Sequence, residues 1–476
     1  MTRSMPAALT AALLLTACAA GPDYRKPAID MPVAWQVDAP WRQSAPGDEQ
    51  AKGAWWERFG DAQLNALQQQ ALQDNQTLAI ASARLLQARA SGNAALAGMF
   101  PQVGLGTRAS RLKISADRPL TNYNSPNYGP VQNDFALGLN VSYEVDLFGR
   151  VQRNVESAHA SAQQSAADLE NTRLLLGADL ASNYFNLREL DVELDVLARS
   201  IALQRQALEL ATSRHDLGAT SGLDVAQQQA LLDSTLTQVD VLRKQRAQFE
   251  HAIATLVGVP APQFALAPAL LPMQPPAVPL GVPSDLLERR PDIASAERAM
   301  AAANAQIGVA DAAFYPSIML APSYGVDSRG IATLFNAPSV LWSLGVSATQ
   351  TLFDGGRIRA GVDFAKGGYQ AAVATYRRTV LTAMQEVEDG ITGIAALERA
   401  YTQAQAAILS SQRVLDLANS RYEGGVATYL DVITAQQSLL NNERQAAQLM
   451  GQRMLSSVFL VKALGGDWAD SKLASK

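Results

Sequence analysis

Two stretches of the chain repeat one another: SRHDLGATSGLDV occupies residues 213–225, and SRYEGGVATYLDV occupies residues 420–432. They begin 207 residues apart and share six of thirteen positions, including a glycine and a closing Leu-Asp-Val. A glycine just past a helical run, followed by an acidic residue near the next helix start, is typical of a turn between two helices. The pair therefore predicts that this chain builds the same helical hairpin twice.

The duplication extends well beyond these two turns. Residues 207–258 align with 414–465 without a gap, and 134–158 align with 341–365. A period of roughly 200 residues is too long for one unit of a solenoid, so a whole domain is duplicated.

Composition excludes several classes of function. With 476 residues, 48% hydrophobic and 17% charged, the chain can bury a large core and is not of a disordered type. A net charge of −5 without a long basic run argues against nucleic-acid binding. The sequence contains no Walker loop, no GxSxG and no HExxH, and its histidines lack metal-ligand spacing. Neither an enzyme nor a metal site is predicted.

The N-terminus predicts export and lipidation. Residues 7–17 are apolar but too few to span a membrane, and they end in a Leu-Thr-Ala-Cys sequence that resembles a bacterial lipobox. Its Cys18 is the only cysteine, so we expect it to carry a covalent diacylglycerol and N-acyl lipid and to anchor the protein in membrane lipid. An ordinary signal peptide is the alternative. In bacterial lipoproteins that this N-terminus resembles, an Asp directly after the lipidated cysteine retains many of them in the inner membrane. Ala19 stands at that position here, which favours the outer membrane.

Four segments show the alternation of apolar and polar residues that is typical of strands, namely 103–111, 135–147, 318–326 and 340–348. No apolar run of about 20 residues follows Cys18, so any membrane crossing must use strands. A half-buried soluble sheet would show the same alternation and stays open as an alternative. Four strands cannot close a barrel, which favours a cyclic oligomer in which three chains supply twelve strands.

Long helices complete each repeat. Residues 150–216 and 357–423 lack proline, and one helix of that length reaches roughly 100 Å. Ala-rich helices are predicted over 61–98 and 291–312. From residue 430 onward apolar residues recur every three or four positions, and polar or small residues interrupt this spacing. The pattern predicts a helix with a wet inner face, that is, one in contact with water. The interruptions are Gln437, Arg444 and Gly451.

These observations divide the chain into six parts. They are a signal peptide (1–17), a lipidated leader (18–60), the first repeat (61–259), a Pro-rich linker (260–283), the second repeat (284–466) and a C-terminal tail (467–476).

Four motifs together resemble the TolC-like outer membrane efflux protein family, in its lipoprotein branch that serves resistance-nodulation-division (RND) pumps, the NodT-type outer membrane factors. They are CAAGPDYRKP (18–27), WWERFGDAQLNAL (55–67), LLERRPDIASAE (286–297) and the paired turns. The resemblance implies an α+β membrane protein whose duplicated strand-strand-long-helix-long-helix unit forms a homotrimer. A trimeric 12-stranded β-barrel would continue into a periplasmic α-helical barrel and act as a passive, gated multidrug-resistance conduit rather than an enzyme.

The resemblance also assigns partners and sites. A periplasmic adaptor protein would dock at the hairpin turns, marked by Gly218, Gly222, Gly424 and Gly425, and an inner-membrane RND transporter would supply the energy. Tyr422 and Asp431 match the family's periplasmic gate, where three Asp431 carboxylates would form a ring that favours cations. Thr434 stands where the family often has a second acidic residue. We expect the Asp224 carboxylate only to stabilise the start of the helix after its turn, through the helix dipole, and we expect Pro291 to open a helix.

Two alternatives remain. The first is an outer-membrane channel for an ABC-type polypeptide exporter. The second is a periplasmic coiled-coil scaffold without a pore, which would require the strand segments to be soluble.

Overall fold

The structure, a computed structural model, separates into two compact units, each considered by itself. The residues described are 20–27, 32, 54–113, 131–270, 273–276 and 290–466. The signal peptide, Cys18, Arg289 and the C-terminal tail therefore lie outside the described residues. The strand unit comprises Met1–Pro27, Leu85–Ser165 and Ala296–Tyr376, and the helix unit comprises Ala28–Arg84, Ala166–Ser295 and Arg377–Lys476.

The Ala-rich helix predicted over residues 61–98 is two helices, α1 (Ala62–Asp74) and α2 (Gln76–Ala97). Asn75 separates them because its backbone is extended, with φ −70° and ψ 125°. Its side-chain Nδ2 donates to the carbonyl oxygen of Leu256 at 2.8 Å. The single-helix prediction is wrong because a polar side chain here prefers a tertiary partner over continued helix, which hydrophobic spacing does not reveal.

The long helices occur as two matched pairs. α3 (Arg150–Asp216) and α6 (Arg357–Glu423) have 67 residues each, whereas α4 (Gly222–Leu256) and α7 (Tyr429–Ala463) have 35 each. Between them lies α5 (Pro291–Ala312), which begins at the proline predicted to open it. The first and last residues of α6 and α7, in the second repeat, follow those of α3 and α4 by 207 residues, as residues 150 and 357 show. The proline-free runs are helical as predicted.

Six strands of the strand unit form one antiparallel sheet within the described residues. They are β1 (Gln102–Lys113), β2 (Val131–Val145), β3 (Ser317–Leu320), β4 (Ser323–Ser328), β5 (Val340–Ser343) and β6 (Val346–Thr349). β2 is central: it pairs with β1 on one side and with β3 and β4 on the other. β5 and β6 extend the sheet beyond β4 and β3.

The two strands of the second repeat, predicted over 318–326 and 340–348, are each interrupted, the first of them at the proline that breaks its alternation. Pro322 has no amide hydrogen to donate to a ladder, although its carbonyl oxygen accepts from the Val141 amide at 2.9 Å. The neighbouring strand breaks at the same level, where the Ala321 amide donates to the Gly345 carbonyl oxygen at 2.8 Å. The first-repeat strands remain unbroken.

The sheet has one apolar and one polar face, as the alternation predicts. The apolar face carries the cross-strand row Leu105, Leu139, Tyr324 and Trp342, and the polar face carries Asn140, Ser323 and Ser343. Trp342 is 75% exposed and Leu105 is 67% exposed. No described residue of a single chain therefore covers this face, whereas a half-buried soluble sheet would bury it.

The helix unit has its own core, in which the two helical hairpins contact one another. One cluster joins Leu197 of α3, Leu232 of α4 and Leu440 of α7, and another joins Leu231 of α4 to Val432 of α7. Among the described residues, none of the helices combines the length and the apolar character needed to cross a membrane.

Candidate functional site

The first hairpin turn, residues 217–221, joins α3 to α4. Gly218 has a φ of +74°. The amides of Gly218 and Ala219 donate to the carbonyl oxygens of His215 and Arg214, both at 2.8 Å. This paired arrangement satisfies the last carbonyl groups of α3 and requires a residue that tolerates positive φ.

The second hairpin turn, residues 424–428, joins α6 to α7 with the same geometry. Gly425 has a φ of +73°. The amides of Gly425 and Val426 donate to the carbonyl oxygens of Tyr422 and Arg421 at 3.0 and 2.9 Å. The repeated glycine of the sequence thus marks the same helix-ending motif in both hairpins.

The structure confirms the turns predicted at Gly218 and Gly425, both of which have a positive φ. Gly222 and Gly424 differ: Gly222 is the first residue of α4, and neither has a positive φ. A Cβ atom at Gly218 or Gly425 would meet nothing within 4 Å, so both turns are open in the single chain. The role of these glycines in adaptor docking stays a prediction.

Asp224 and Asp431 both stabilise the start of the helix that follows their turn. The Asp431 Oδ2 accepts from the Thr428 amide at 2.9 Å and from the Thr428 hydroxyl at 2.8 Å. Asp224 accepts from the Thr220 hydroxyl. Asp224 thus lies in the first turn of α4, as expected, where Ser221 supplies the cap, whereas Asp431 itself completes the capping box of α7 and remains exposed. The Thr434 hydroxyl bonds only its own helix, at the Leu430 carbonyl oxygen.

Tyr422 belongs to an aromatic and polar cluster that joins the two hairpins. Its ring lies 5.0 Å from that of Tyr429 and 5.6 Å from the Arg214 guanidinium. Tyr429 is buried and donates to Gln228 Oε1 at 3.0 Å, and the Gln228 amide in turn donates to the Gln204 carbonyl oxygen at 2.9 Å. Burial raises the pKa of Tyr429 to about 12, so its hydroxyl donates throughout the neutral range.

Sequence reasoning did not find the Tyr429–Gln228 bond, although one signal for it exists. Tyr429 aligns with Gly222 of the first repeat, so the two hairpins differ in size at this position. A large aromatic residue where the other copy has glycine indicates a contact that is made only once.

Arg290, in the RRPDI motif, fixes the start of α5 to the end of α7. Its guanidinium pairs with Asp292 at 2.7 Å and with Glu386 at 2.7 Å. It also donates to the carbonyl oxygen of Ala463, the last residue of α7, at 2.9 Å. A cation at a helix C-terminus is favourable, and this buried position satisfies its donors. Arg290 of this motif thus has a structural role, joining two helix ends.

Two of the three interruptions of α7, Arg444 and Gly451, face α3, whereas Gln437 is exposed. The wet inner face predicted for these positions is wrong at Gly451. Gly451 is buried, and a Cβ atom there would lie 2.5 Å from the Glu189 side chain. Arg444 pairs with buried Glu193 at 2.9 Å, and Gln448 donates to the same carboxylate at 2.8 Å. Burial, reinforced by Glu193, raises the pKa of Glu189 to about 8.

The leader beyond Cys18 is held in the strand unit, at a site we call the leader seat (residues 20–27 and the side chains that bind them). The Ala20 amide donates to the Phe148 carbonyl oxygen at 2.9 Å, and Arg153 donates to the Ala20 carbonyl oxygen at 3.2 Å. Arg153 also pairs with Asp23 at 2.9 Å. Asn304 of α5 donates to the Pro22 carbonyl oxygen at 2.9 Å.

The leader seat also includes a close contact between the backbones of the leader and α5. Gly21, with a φ of +86°, crosses Gly308 of α5 so tightly that an added Cβ would lie 2.4 Å from the Gly308 Cα. Tyr24 donates to Glu297 at 3.3 Å, and Lys26 pairs with the same carboxylate at 3.3 Å. Both repeats thus bind the segment that follows the predicted lipidation site, a feature that sequence spacing did not indicate.

The sequence profile of the family described as outer membrane efflux protein matches residues 67–259 and 282–466. This chain belongs to the outer membrane efflux protein family. The predicted family, outer-membrane location and non-enzymatic class are confirmed. The lipid on Cys18 and the gate residues stay predictions.

Relatives of this outer membrane efflux protein match it over nearly its whole length. OpmQ of Pseudomonas aeruginosa, a pyoverdine export outer membrane protein, is 33% identical over 98% of this chain and 97% of its own length. Outer membrane protein OprJ of the same species is 32% identical over 98% of this chain and 96% of its own. The cation efflux system protein CusC of Escherichia coli is 29% identical, over 96% and 97%.

Solved channels share the fold of this efflux protein. The outer-membrane channel OprN superposes with a TM-score of 0.86 at 30% identity, over 95% of this chain and all of its own. The Campylobacter jejuni CmeC outer membrane channel superposes with a TM-score of 0.86 at 25% identity, over 95% and 96%. The predicted fold class, a trimeric β-barrel continuous with an α-helical barrel, is confirmed.

Proposed function

We propose that this chain is the outer-membrane channel subunit of a tripartite RND-type efflux system. Three copies form the channel, a periplasmic adaptor binds its hairpin turns, and an inner-membrane RND transporter supplies the energy. One observation carries the proposal: a sheet whose apolar face and two edges are left uncovered by the described residues belongs to the same chain as two matched helical hairpins. Such a sheet is complete only when neighbouring copies and lipid cover its edges and its apolar face.

The cargo that we propose is a small molecule passing from the periplasm or the pump to the exterior. Relatives about equally similar to this chain are named for pyoverdine, cations, toluene or solvents. Channels of one architecture therefore serve chemically unrelated cargoes, as expected if the pump rather than the conduit selects the compound.

The gate that we propose is formed by Tyr422 and Asp431. The exposed Asp431 carboxylate, repeated around a three-fold axis, would raise the local cation concentration. Its capping bonds to Thr428 hold the carboxylate in one orientation. Asp431→Ala is expected to reduce cation preference in planar bilayers. Asp224→Ala removes the matched carboxylate of the first hairpin and serves as the control.

The anchor that we propose is a diacylglycerol and N-acyl lipid on Cys18. The leader seat supports it, because Ala20 is held by Phe148 and Arg153 at the point where β2 passes into α3. A lipid only two residues away would meet the membrane at a defined height rather than on a free tether.

Native mass spectrometry of the detergent-solubilised protein tests assembly and anchoring in one spectrum. The expected species is three chains beginning at Cys18, each with added acyl mass. Cys18→Ala should lose that mass. Conductance of the same sample in planar bilayers tests the pore. A monomeric, non-conducting protein would contradict the channel function, whereas a conducting trimer without acyl mass would contradict only the anchor.

A further inference from the structure

The polar face of the sheet is almost free of charge. Among the described strands its side chains are mostly small or neutral, including Gly104, Gly106, Gly138, Asn140, Ser142, Ser323 and Gly325. Charged side chains on this face occur at two levels only: Glu144 at one end of β2, and a three-residue cluster towards the other end. Because charged side chains are few on this face, the field of any one of them is little reduced by its neighbours.

The cluster joins three neighbouring strands. Arg108 of β1 pairs with Asp134 of β2 at 2.9 Å, and its Nη2 lies 3.7 Å from the Asp327 carboxylate of β4. All three side chains reach solvent, with 60% of Arg108 and 43% of Asp327 exposed. The second oxygen of Asp134, Oδ1, finds no hydrogen-bond partner within the described chain. One cation therefore faces two carboxylates.

The other charged level is balanced, by contrast. Glu144 receives two hydrogen bonds from Arg150, the first residue of α3, so one cation meets one carboxylate. Ten residues separate Asp134 from Glu144 along β2, roughly 34 Å at the rise of an antiparallel strand. A barrel strand tilted by about 45° carries that length across roughly 24 Å of the membrane normal, close to the apolar band of such barrels, so in the channel fold the two levels lie near the two ends of that band. The unbalanced cluster is the one farther from α3.

We propose that Arg108, Asp134 and Asp327 form a charged collar that makes the outer, strand-lined mouth of the channel selective for cations. The inference rests on the proposed function as a trimeric channel, because only then does the polar face line a pore. Within the cluster, two carboxylates meet one guanidinium, a net charge of −1 per chain, and the three copies place three such clusters around the axis. Low-dielectric walls strengthen their field, which enriches cations and depletes anions at the mouth.

Reversal potentials in a KCl gradient test the collar with two variants of opposite sign. Asp327→Asn should lower the cation-to-anion permeability ratio and Arg108→Gln should raise it, each by about two- to threefold near 0.1 M salt. The differences should shrink at 1 M, where the screening length falls to about 3 Å. Ser323→Ala, on the same face and strand as Asp327, changes no charge and should leave the ratio unchanged.

Hexaamminecobalt(III) separates the collar from the gate. Added on the strand side of the bilayer, this trivalent cation should block the wild-type pore, and Asp327→Asn should weaken that block. Asp327→Asn should leave block from the helix side unaltered, because that side approaches through the hairpins.

Three results would overturn the collar while leaving the channel intact. They are unchanged selectivity in both variants, shifts of the same sign in both, or equal loss of block from both sides. Failure of the wild-type protein to conduct would instead contradict the proposed function on which the inference rests.

Discussion

Single glycines end all four long helices in the same way. Gly218, Gly258, Gly425 and Gly465 have φ values of +74°, +77°, +73° and +90°. In the two hairpin turns nothing crowds the missing Cβ, whereas at Gly258 a Cβ would lie 2.5 Å from the Asp74 carbonyl oxygen. The turn glycines are therefore required by backbone conformation alone, and Gly258 by conformation and packing together.

Substituting the turn glycines should loosen the turn without disturbing the helices. Gly425→Ala places a side chain at positive φ, which costs about 1–2 kcal/mol. Hydrogen exchange of the Gly425 and Val426 amides should accelerate roughly 5- to 30-fold. Gly222→Ala is the matched control, because Gly222 lies in a helical turn where its Cβ would make ordinary contact with His215 at 3.5 Å. Equal acceleration in both variants would contradict the conformational argument.

Glu189 should make the stability of the helix unit depend on pH. Its pKa is raised to about 8 by burial and by Glu193. The folded chain therefore holds a proton that the unfolded chain releases above its ordinary pKa of about 4.3. Stability from this group is complete below that value, declines as pH rises, and is fully lost above about pH 8.

Glu189→Gln keeps a neutral side chain at every pH and should remove this dependence. At pH 8.5 the variant should be more stable than the wild type by several kcal/mol, since each unit of pKa shift corresponds to about 1.4 kcal/mol, and at pH 4 the two should be alike. Thermal unfolding followed by circular dichroism at both pH values measures the difference. Parallel pH profiles for the two proteins would rule out Glu189 as the titrating group. Glu170→Gln, at an exposed pair of the same helix, is the control.

Among the secondary-structure elements, the leader is a segment without regular structure that packs against helices of both repeats. Arg153 of α3 and Gly308 of α5 hold it from two sides, the first by charge and hydrogen bonds and the second by absence of a side chain. Trypsin can cut after Arg25, whereas the bond after Lys26 resists it because Pro27 follows, so protection of the Arg25–Lys26 bond reports on the leader seat.

Arg153→Glu should release the leader, because it puts a carboxylate against Asp23. We expect tryptic cleavage after Arg25 to accelerate roughly 5- to 30-fold, as for a loss of one or two kcal/mol. Adding Asp23→Arg should restore much of the protection by reversing the pair. Arg173→Glu changes an exposed pair elsewhere on α3 and should have no effect. Cleavage that is already fast in the wild type would show that the seat is not held.

In the whole molecule, the two faces of the sheet contact different surroundings, lipid on one side and water on the other. The apolar row that includes Leu105 and Trp342 faces lipid in the channel fold, and the polar row that includes Asn140 and Ser343 faces water. Adjacent residues of one strand therefore differ completely in what they tolerate. That difference distinguishes a membrane channel from the periplasmic scaffold, in which neither face meets lipid.

Trp342→Arg and Ser343→Arg make this comparison at neighbouring positions of β5. Arginine on the lipid face costs about 2–4 kcal/mol near the bilayer midplane, whereas on the water-filled side the cost is small. Trp342→Arg should therefore reduce the amount of trimer recovered from outer membranes, and Ser343→Arg should leave it near the wild-type amount. Equal recovery of the two variants would favour the scaffold.

Local sequence was sufficient for the long helices, the hairpin turns and the two faces of the sheet. Proline-free runs give α3 and α6, glycine at a helix end gives Gly218 and Gly425, and alternation places Leu139 and Val141 on one face of β2. These features depend on propensities and periodicities that short segments carry within themselves. The family, and with it the channel function, followed from the same motifs.

Other features were decided only by residues distant in the chain. Asn75 breaks a helix because Leu256 offers it an acceptor, and Gly451 is buried because Glu189 packs against it. The charged collar exists because three strands bring Arg108, Asp134 and Asp327 together from separate repeats. Periodicity records which face a residue occupies, but the identity of its partner depends on how the segments pack. Local sequence is therefore enough for the family and for most elements, whereas the contacts between elements, and the element breaks that depend on such contacts, are set by packing.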